Sequence, residues 1–170
     1  RTMEIDVSTP LAYDVIGDIH GHAGKLDRLL ARLGYRPHAT GWTAPAGRRA
    51  VFVGDLIDRG PEQVRTVAIV RSMVDAGVAH AVAGNHELNA IGFITDERDA
   101  HGRPTGQTLR TRTADHVKQH AEFLQQVGES SELHKELVGW FRTLPLALDL
   151  GGIRVVHAWW HAPHLAAASQ

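Results

Sequence analysis

The sequence Gly54-Asp55-Leu56-Ile57-Asp58-Arg59-Gly60-Pro61 directly follows the apolar run Ala50-Val51-Phe52-Val53. Val and Phe suit a buried strand, and the proline that ends the stretch suits the first turn of a helix. A strand that runs into Gly and then Asp places a carboxylate at the carboxyl edge of a sheet, where open α/β folds bind ligands. The stretch therefore predicts a strand, a ligand-bearing turn and a helix, in that order.

The same arrangement occurs twice more along the chain. One strand-like run leads into Gly17-Asp18-Ile19-His20-Gly21, and another, at 79–83, leads into Gly84-Asn85-His86-Glu87. If the three strands are neighbours, their carboxyl ends meet at one edge of a sheet. The residues that we expect to converge there are Asp18, His20, Asp55, Asn85 and His86.

Helical spacing of apolar residues follows each of the first two turns, at 26–33 and 64–74. Two consecutive βα units and a third strand predict an α/β fold with a parallel β-α-β-α-β sheet flanked by helices. The segments 35–48 and 95–107 are rich in residues that break periodicity. We expect a connecting loop in the first and a mobile loop or an insertion boundary in the second.

The C-terminal part predicts two helices and a hairpin. Apolar residues at helical spacing mark the helices, and Ser130 or Ser131 is the expected N-cap of the second one. Two apolar runs around Gly151-Gly152 predict a hairpin on a two-residue turn, with His157 at its end.

Length and composition limit the class of protein. With 170 residues the chain suits one domain, 1–170, and its net charge of −1 gives no general affinity for nucleic acid or anionic membranes. Cysteine is absent, so thiolate metal sites are excluded, and no apolar run is long enough for a transmembrane helix. We therefore expect a soluble, cytoplasmic protein that binds neither membrane nor nucleic acid.

The residue types at the sheet edge point to metal chemistry. Carboxylate, amide and imidazole ligands suit two divalent ions; we expect Mn²⁺, with Fe or Zn²⁺ as alternatives. Two such ions need a carboxylate between them, and central Asp55 is the natural bridge. Such a pair binds phosphate and lowers the pKa of a water molecule, which predicts hydrolysis of a phosphoester.

Three further residues have predicted roles around that chemistry. His86, oriented by Asp58, is the candidate acid that protonates the leaving group. Arg59 can hold phosphate oxygens in a bidentate manner, although its second interpretation is a structural ion pair with Asp58. The histidines that we interpret as ordinary surface or core residues are His22, His38, His80, His101, His116, His120 and His134.

Together the blocks at 17–21, 54–60 and 84–87 resemble the signature motifs of calcineurin-like metallophosphoesterases, most of all the phosphoprotein phosphatase branch. The resemblance implies that fold, a first metal on Asp18, His20 and Asp55, and a second on Asp55, Asn85 and His157. It also implies His86 and Asp58 as the catalytic acid pair. For the substrate phosphate we expect Arg59 and Asn85 as binding residues. Symmetrical diadenosine tetraphosphatases share the fold, but usually lack the match to Asp58 and have Asp in place of Glu87.

Family members continue beyond the length of this chain, with further strands of a second sheet and a final histidine that completes the second metal site. We therefore expect a truncated second sheet and possible self-association, unless His161 or His164 replaces the missing ligand. The leading functional hypothesis is hydrolysis of phosphomonoesters, as in phosphoprotein. The alternatives are hydrolysis of diadenosine tetraphosphate or another nucleotide, and a metal-binding fragment without catalytic activity.

Overall fold

The computed structural model describes residues 12–168. The predicted domain, 1–170, extends past this range at both ends. The elements in chain order are β1 (Ala12–Ile16), α1 (Ala23–Arg32), β2 (Arg36–His38), β3 (Gly41–Thr43), β4 (Arg48–Phe52), α2 (Gln63–Asp75), β5 (Ala79–Ala81), α3 (Asn85–Ile94), β6 (Asp96–Arg98), β7 (Pro104–Thr108), α4 (Ala114–Val127), α5 (Glu132–Phe141), β8 (Ala147–Asp149), β9 (Arg154–Val156) and α6 (Ala162–Ala168).

Three parallel strands form the central sheet, in the order β1, β4, β5. Ile16 pairs with Phe52, and Phe52 pairs with Ala81, so the three strands end at nearly the same level. Helix α1 lies in the connection from β1 to β4, and α2 connects β4 to β5. The predicted β-α-β-α-β sheet flanked by helices is confirmed, and the turns after its strands share one edge.

The two faces of this sheet are covered by different elements, because side chains alternate along each strand. Ala50 and Phe52 belong to the main buried cluster, together with apolar residues of α1 and α2. Val51 belongs to a second cluster with Leu150 and Val155 of the C-terminal region. The sheet is therefore the middle layer between the helices and a C-terminal hairpin.

That hairpin was predicted, and the structure confirms it. Strands β8 and β9 pair in antiparallel fashion around Gly151, whose φ of 80° lies in the left-handed region that glycine adopts easily. Val15, on β1, remains 58% exposed, so the cover of the sheet is incomplete in the described residues. Self-association through such a surface remains a prediction.

Two predicted loops contain short hairpins instead. Strands β2 and β3 pair within 35–48, and β6 and β7 pair within 95–107. These strands are short and mostly exposed, so their sequences show no alternation of apolar and polar residues. Their formation depends on local hydrogen bonds instead. An example is the Asp99 carboxylate, which accepts hydrogen bonds from the backbone N–H groups of His101 and Arg103 at 2.8 and 3.0 Å.

Helices α4 and α5 confirm the predicted helical pair. Ser131 is the N-cap of α5, since its hydroxyl accepts a hydrogen bond from the His134 N–H at 3.0 Å. Thr113 caps α4 in the same way. Across residues 12–168, every helix is too short or too polar to cross a lipid bilayer.

Candidate active site

The turns after β1, β4 and β5 bring the predicted ligands together around Asp55. One Asp55 carboxylate oxygen, Oδ2, lies 3.8 Å from His20 Nε2 and 3.8 Å from His86 Nε2. The other, Oδ1, lies 3.4 Å from His157 Nε2. Potential ligand atoms form two groups within 4.8 Å, one from His20, Asp55 and His86 and one from Asp18, Asp55 and His157. Asp55 belongs to both groups, as a bridging carboxylate would.

Backbone conformation at these turns is unusual. His20, Asp55, Asp58 and Arg59 have φ angles of 47, 53, 69 and 71°, in the left-handed region that non-glycine residues seldom adopt. Such conformations persist only where the surrounding structure fixes them, and they are concentrated at functional sites. Here the fixing contacts include hydrogen bonds from the backbone N–H groups of Ile19 and His20 to the Asp55 carbonyl oxygen, at 3.0 and 2.9 Å.

Glycines allow two of the turns to touch. A Cβ atom on Gly54 would collide with the backbone of Gly84, and a Cβ atom on Gly84 would collide with Asp55. The β4 and β5 turns therefore meet main chain against main chain. This close approach brings the backbone N–H of His86 to 3.1 Å from Asp55 Oδ1, to which it donates a hydrogen bond.

Glu87 is fully buried behind these turns. Its carboxylate accepts hydrogen bonds from the backbone N–H groups of Asp55 and Gly84, both at 2.9 Å, and from Leu56 at 2.8 Å. Burial raises the pKa of Glu87, although these hydrogen bonds act in the opposite direction. The sequence assigned Glu87 no role beyond its motif, whereas the structure makes it the hub that joins two ligand-bearing turns.

The donor atoms fit a first cation beside His20. The His20 Nδ1–H donates to the Ile57 carbonyl oxygen at 2.9 Å, so Nε2 is the ring nitrogen whose lone pair can bind a metal. Among residues 12–168 that buried nitrogen has no hydrogen-bond partner, and it faces Asp18 Oδ2 at 3.7 Å as well as Asp55 Oδ2. Lone pair and carboxylates repel each other unless a cation lies between them.

His157 is held in a comparable way. Its Nδ1–H donates to the Val53 carbonyl oxygen at 2.7 Å, and its Nε2 makes a hydrogen bond with Asn85 Oδ1 at 3.0 Å and lies close to Asp55. A backbone acceptor on one imidazole nitrogen is the usual support of a histidine that binds metal through the other. The oxygen and nitrogen donors of Asp18, His20 and Asp55, and those of Asp55, Asn85 and His157, thus fit divalent cations.

The predicted acid pair is in contact. His86 Nδ1 lies 2.6 Å from Asp58 Oδ2, and this hydrogen bond raises the pKa of His86 above its ordinary value. Burial alone would raise the pKa of Asp58, but hydrogen bonds from His120 and His86 outweigh it and hold that pKa below the usual range. The buried Asp58 is therefore a carboxylate that orients His86.

The second hydrogen bond to Asp58 comes from His120, which the sequence left as a surface or core histidine and which lies in the core. His120 is buried on α4, and its Nδ1 lies 2.6 Å from Asp58 Oδ1. In the sequence, His120 stands on the apolar face of α4 with Phe123 and Val127. From the sequence one could predict only that a buried imidazole needs a polar partner, and not which residue that partner is.

Arg59 lies at the rim of the site. Its side chain lines a cavity of about 350 Å³, which also involves Asp18, His20, His22 and Lys25. Within residues 12–168 no ion pair joins Arg59 to Asp58, whose carboxylate oxygens are occupied by the two histidines. Arg59 and Lys25 give this cavity, next to the candidate metal ligands, two positive charges.

The late histidines His161 and His164 form a separate group. Their rings are 4.1 Å apart, and His161 also lies 4.6 Å from the ring of Trp159. In the described part of the chain, neither belongs to the two groups of potential metal ligands. His157 is thus the C-terminal histidine that the structure places at Asp55.

Comparisons with known proteins agree with this geometry. A sequence profile of the family described as calcineurin-like phosphoesterase matches residues 12–164. The asymmetrical bis(5'-nucleosyl)-tetraphosphatase PrpE of Oceanobacillus iheyensis is 31% identical over 147 residues, which are 85% of this chain and 54% of that protein. The symmetrical bis(5'-nucleosyl)-tetraphosphatase of Aromatoleum aromaticum is 34% identical over 148 residues, 87% of this chain and 44% of that protein. The chain thus spans about half the length of these relatives.

Among solved structures, the cold-active protein-tyrosine phosphatase of a psychrophilic Shewanella species has a TM-score of 0.55 at 18% identity. The similarity covers 95% of this chain and 47% of that one. At this level of identity the likeness concerns the fold alone.

Proposed function

This chain belongs to the calcineurin-like phosphoesterase family, and from that membership and its site we propose a metal-dependent hydrolase that cleaves phosphoester or phosphoanhydride bonds. The observation that carries the proposal is the convergence of Asp18, His20, Asp55 and His157, with the unpartnered His20 Nε2 facing two carboxylates. Carboxylate oxygens and imidazole nitrogens grouped in this way are ligands that divalent cations bind well.

Asp18, His20 and Asp55 would hold one ion, and Asp55, Asn85 and His157 the other, with Mn²⁺ as the proposed metal. When bound, divalent cations would supply Lewis-acid activation of water and would neutralise phosphate charge. The protein's own groups account for the rest: Arg59 and Asn85 bind phosphate oxygens, and His86 gives its Nε2 proton to the departing oxygen. Asp58 holds the His86 ring in place.

For the substrate we propose dinucleoside polyphosphates, in preference to the phosphoprotein expected from the sequence. The relatives named above support this choice, as does the cavity with Arg59 and Lys25 beside the ligands. A polyphosphate chain carries several negative charges, and a rim with two cations attracts it more than one isolated phosphate. Water would add to one phosphorus, and the P–O–P bridge would break to give two nucleotides.

The acid pair supports phosphomonoesters, including phosphoserine and phosphothreonine in proteins, as a second candidate. An alkoxide is a poor leaving group and needs a proton, whereas a nucleotide phosphate leaves more easily. The well-formed His86–Asp58 contact, at 2.6 Å, therefore favours a substrate whose leaving group requires an acid. The two candidates differ in the leaving group and use the same ligands.

One experiment separates these candidates. The purified chain with Mn²⁺ is incubated with diadenosine tetraphosphate, with a phosphoserine peptide and with p-nitrophenyl phosphate, and the products are separated by anion-exchange chromatography. The proposal predicts the highest kcat/KM for the dinucleotide and loss of all activity in Asp55→Asn. Faster hydrolysis of the peptide would establish the second candidate. If no substrate is cleaved above the Asp55→Asn background with any divalent metal, the chain is a binding fragment and the proposal is wrong.

A further inference from the structure

His120 and His86 bind the two oxygens of the same carboxylate. Asp58 Oδ1 lies 2.6 Å from His120 Nδ1, and Asp58 Oδ2 lies 2.6 Å from His86 Nδ1. Because an ionised carboxylate can only accept hydrogen bonds, both imidazoles must donate their Nδ1 protons. The result is a buried His–Asp–His chain, of which the function proposed above uses only two members.

The environment of His120 shows that Asp58 is its one polar partner in the described structure. The ring lies between Phe93 and Phe123, with centroid distances of 5.0 and 4.9 Å. Its Nε2 atom is buried without a hydrogen-bond partner among residues 12–168. A histidine that served only to fill the core would cost free energy here, since an apolar side chain fills the space without an unpaired nitrogen.

Helix α4 contacts the same turn at a second point. The Gln126 side chain accepts a hydrogen bond from the Gln63 N–H and donates one to the Pro61 carbonyl oxygen, both at 2.8 Å. The α4 side chains thus hold the turn after β4 on both sides of Arg59 and Gly60. His120 therefore belongs to a helix that is fixed against this turn at more than one point, and its contact with Asp58 is part of that packing.

We propose that His120 is a positioning residue, which fixes the Asp58 carboxylate in the orientation that His86 needs to act as an acid. A carboxylate held at one oxygen can rotate about its Cβ–Cγ bond, and its second oxygen would be a buried charge without a donor. The hydrogen bond from the His120 N–H prevents this rotation and gives the second oxygen a donor. This inference rests on the proposed phosphoester hydrolysis, so its test needs one measurement that does not depend on turnover.

The kinetic test compares leaving groups in His120→Leu, His120→Asn and the control His134→Leu. The side-chain nitrogen of Asn is a donor two bonds from Cβ, at the same separation as Nδ1 of histidine, whereas Leu has no donor. His134 is also buried and packs on Phe123, but its Nδ1 accepts from the Ser130 N–H at 3.1 Å and does not touch Asp58. Thermal melts of all three variants report how much each change destabilises the fold.

His120→Leu should lower kcat for glycerol 2-phosphate about 10–100-fold, the usual effect of losing an orienting partner, with KM nearly unchanged. The defect should be small for p-nitrophenyl phosphate, should be largely restored in His120→Asn and should be absent in His134→Leu. In a His86→Asn background, His120→Leu should cause no further loss. Equal slowing of both substrates, or a further loss in that background, would overturn the proposal.

The second measurement is the imidazole N–H spectrum of the Mg²⁺-loaded chain by NMR, with the His86 signal assigned through His86→Asn. A short hydrogen bond to a buried carboxylate gives a downfield proton that exchanges slowly with water. This His86 signal should broaden or vanish in His120→Leu and persist in His120→Asn. An unchanged signal in His120→Leu would disprove the positioning role. If the wild type cleaves no substrate, the proposed function fails and the NMR result alone decides this inference.

Discussion

Glu87 accepts a hydrogen bond from the backbone N–H of Asp55 at 2.9 Å, across 32 positions of sequence. The same carboxylate binds the N–H groups of Leu56 and Gly84. Asp55 is the residue shared by both groups of potential ligands, so the backbone beneath it is held by a buried carboxyl group. The geometry of the candidate metal centre therefore depends on a residue that lies outside it.

Replacing Glu87 by Gln should destabilise the fold. Gln keeps one acceptor oxygen but turns an NH₂ group towards a backbone N–H, which leaves a buried donor unpaired and costs about 2–3 kcal/mol. Urea unfolding followed by circular dichroism measures the loss. Glu122→Gln, on the exposed side of α4, is the matched control and should change stability by less than about 0.5 kcal/mol. Equal stability of both variants would show that the Glu87 hydrogen bonds do not stabilise the two turns.

Asp55→Ala should remove at least one of the two proposed metal ions. Without this carboxylate two cations would face each other with no anion between them, and their repulsion would expel at least one. Metal content after dialysis, measured by mass spectrometry, should fall well below that of the wild type, while circular dichroism should still show a folded chain. Wild-type metal content in this variant would end the bridging assignment.

His86→Asn should impair turnover and leave metal binding intact. A general acid contributes about 10²–10⁴-fold, and that contribution matters most when the leaving group is a strong base. The variant should therefore lose far more activity on an alkyl phosphate than on p-nitrophenyl phosphate. The acid role would be wrong if both substrates slowed by the same factor in a variant of normal metal content.

Arg59→Lys should raise KM and weaken inhibition by inorganic phosphate, because Lys cannot reproduce a bidentate contact. Lys25→Gln supplies the comparison. It should raise KM for diadenosine tetraphosphate by up to about 5-fold, since an exposed charge pair is worth at most about 1 kcal/mol, and leave p-nitrophenyl phosphate unaffected. Unchanged phosphate inhibition in Arg59→Lys would mean that this side chain does not contact substrate.

Stability should fall at alkaline pH because of Tyr35. Burial, with the hydrogen bond of 3.0 Å to Asp14, raises the pKa of Tyr35. The folded chain thus holds this phenol proton more tightly than the unfolded chain, whose pKa is about 10. The stabilisation is complete below that pH and is lost progressively above it. Urea unfolding between pH 8 and pH 11 should show a steeper decline for the wild type than for Tyr35→Phe; parallel curves would contradict this.

Much of the sheet was predictable because its determinants are local. Each central strand is a short apolar run that ends at glycine and a polar residue, and the register of Ile16, Phe52 and Ala81 places the following turns at one edge. The convergence of Asp18, His20, Asp55 and Asn85 follows from that topology. His157 was predictable from its position after an apolar strand and from the family resemblance.

His120 was not predictable, because its role depends on how α4 docks. The residue lies 62 positions from Asp58, and in sequence it does not differ from His116 or His134. His116 binds a backbone carbonyl oxygen at the surface, whereas His134 packs beside Phe123. The hairpins β2–β3 and β6–β7 were not predicted for a related reason. Their strands are polar, and the pairing that stabilises them produces no apolar periodicity in the sequence.

The contact between Gly54 and Gly84 has a consequence for how such a chain tolerates change. Where two turns meet through main-chain atoms, their separation is set by van der Waals contact between backbone atoms, because no side chain stands between them. Substitutions in the apolar core can then accumulate and shift the helices without resizing the ionic centre. The two glycines cannot vary in this way, because even one methyl group at either position would collide with the opposite turn. The core can therefore tolerate substitutions that these two positions cannot.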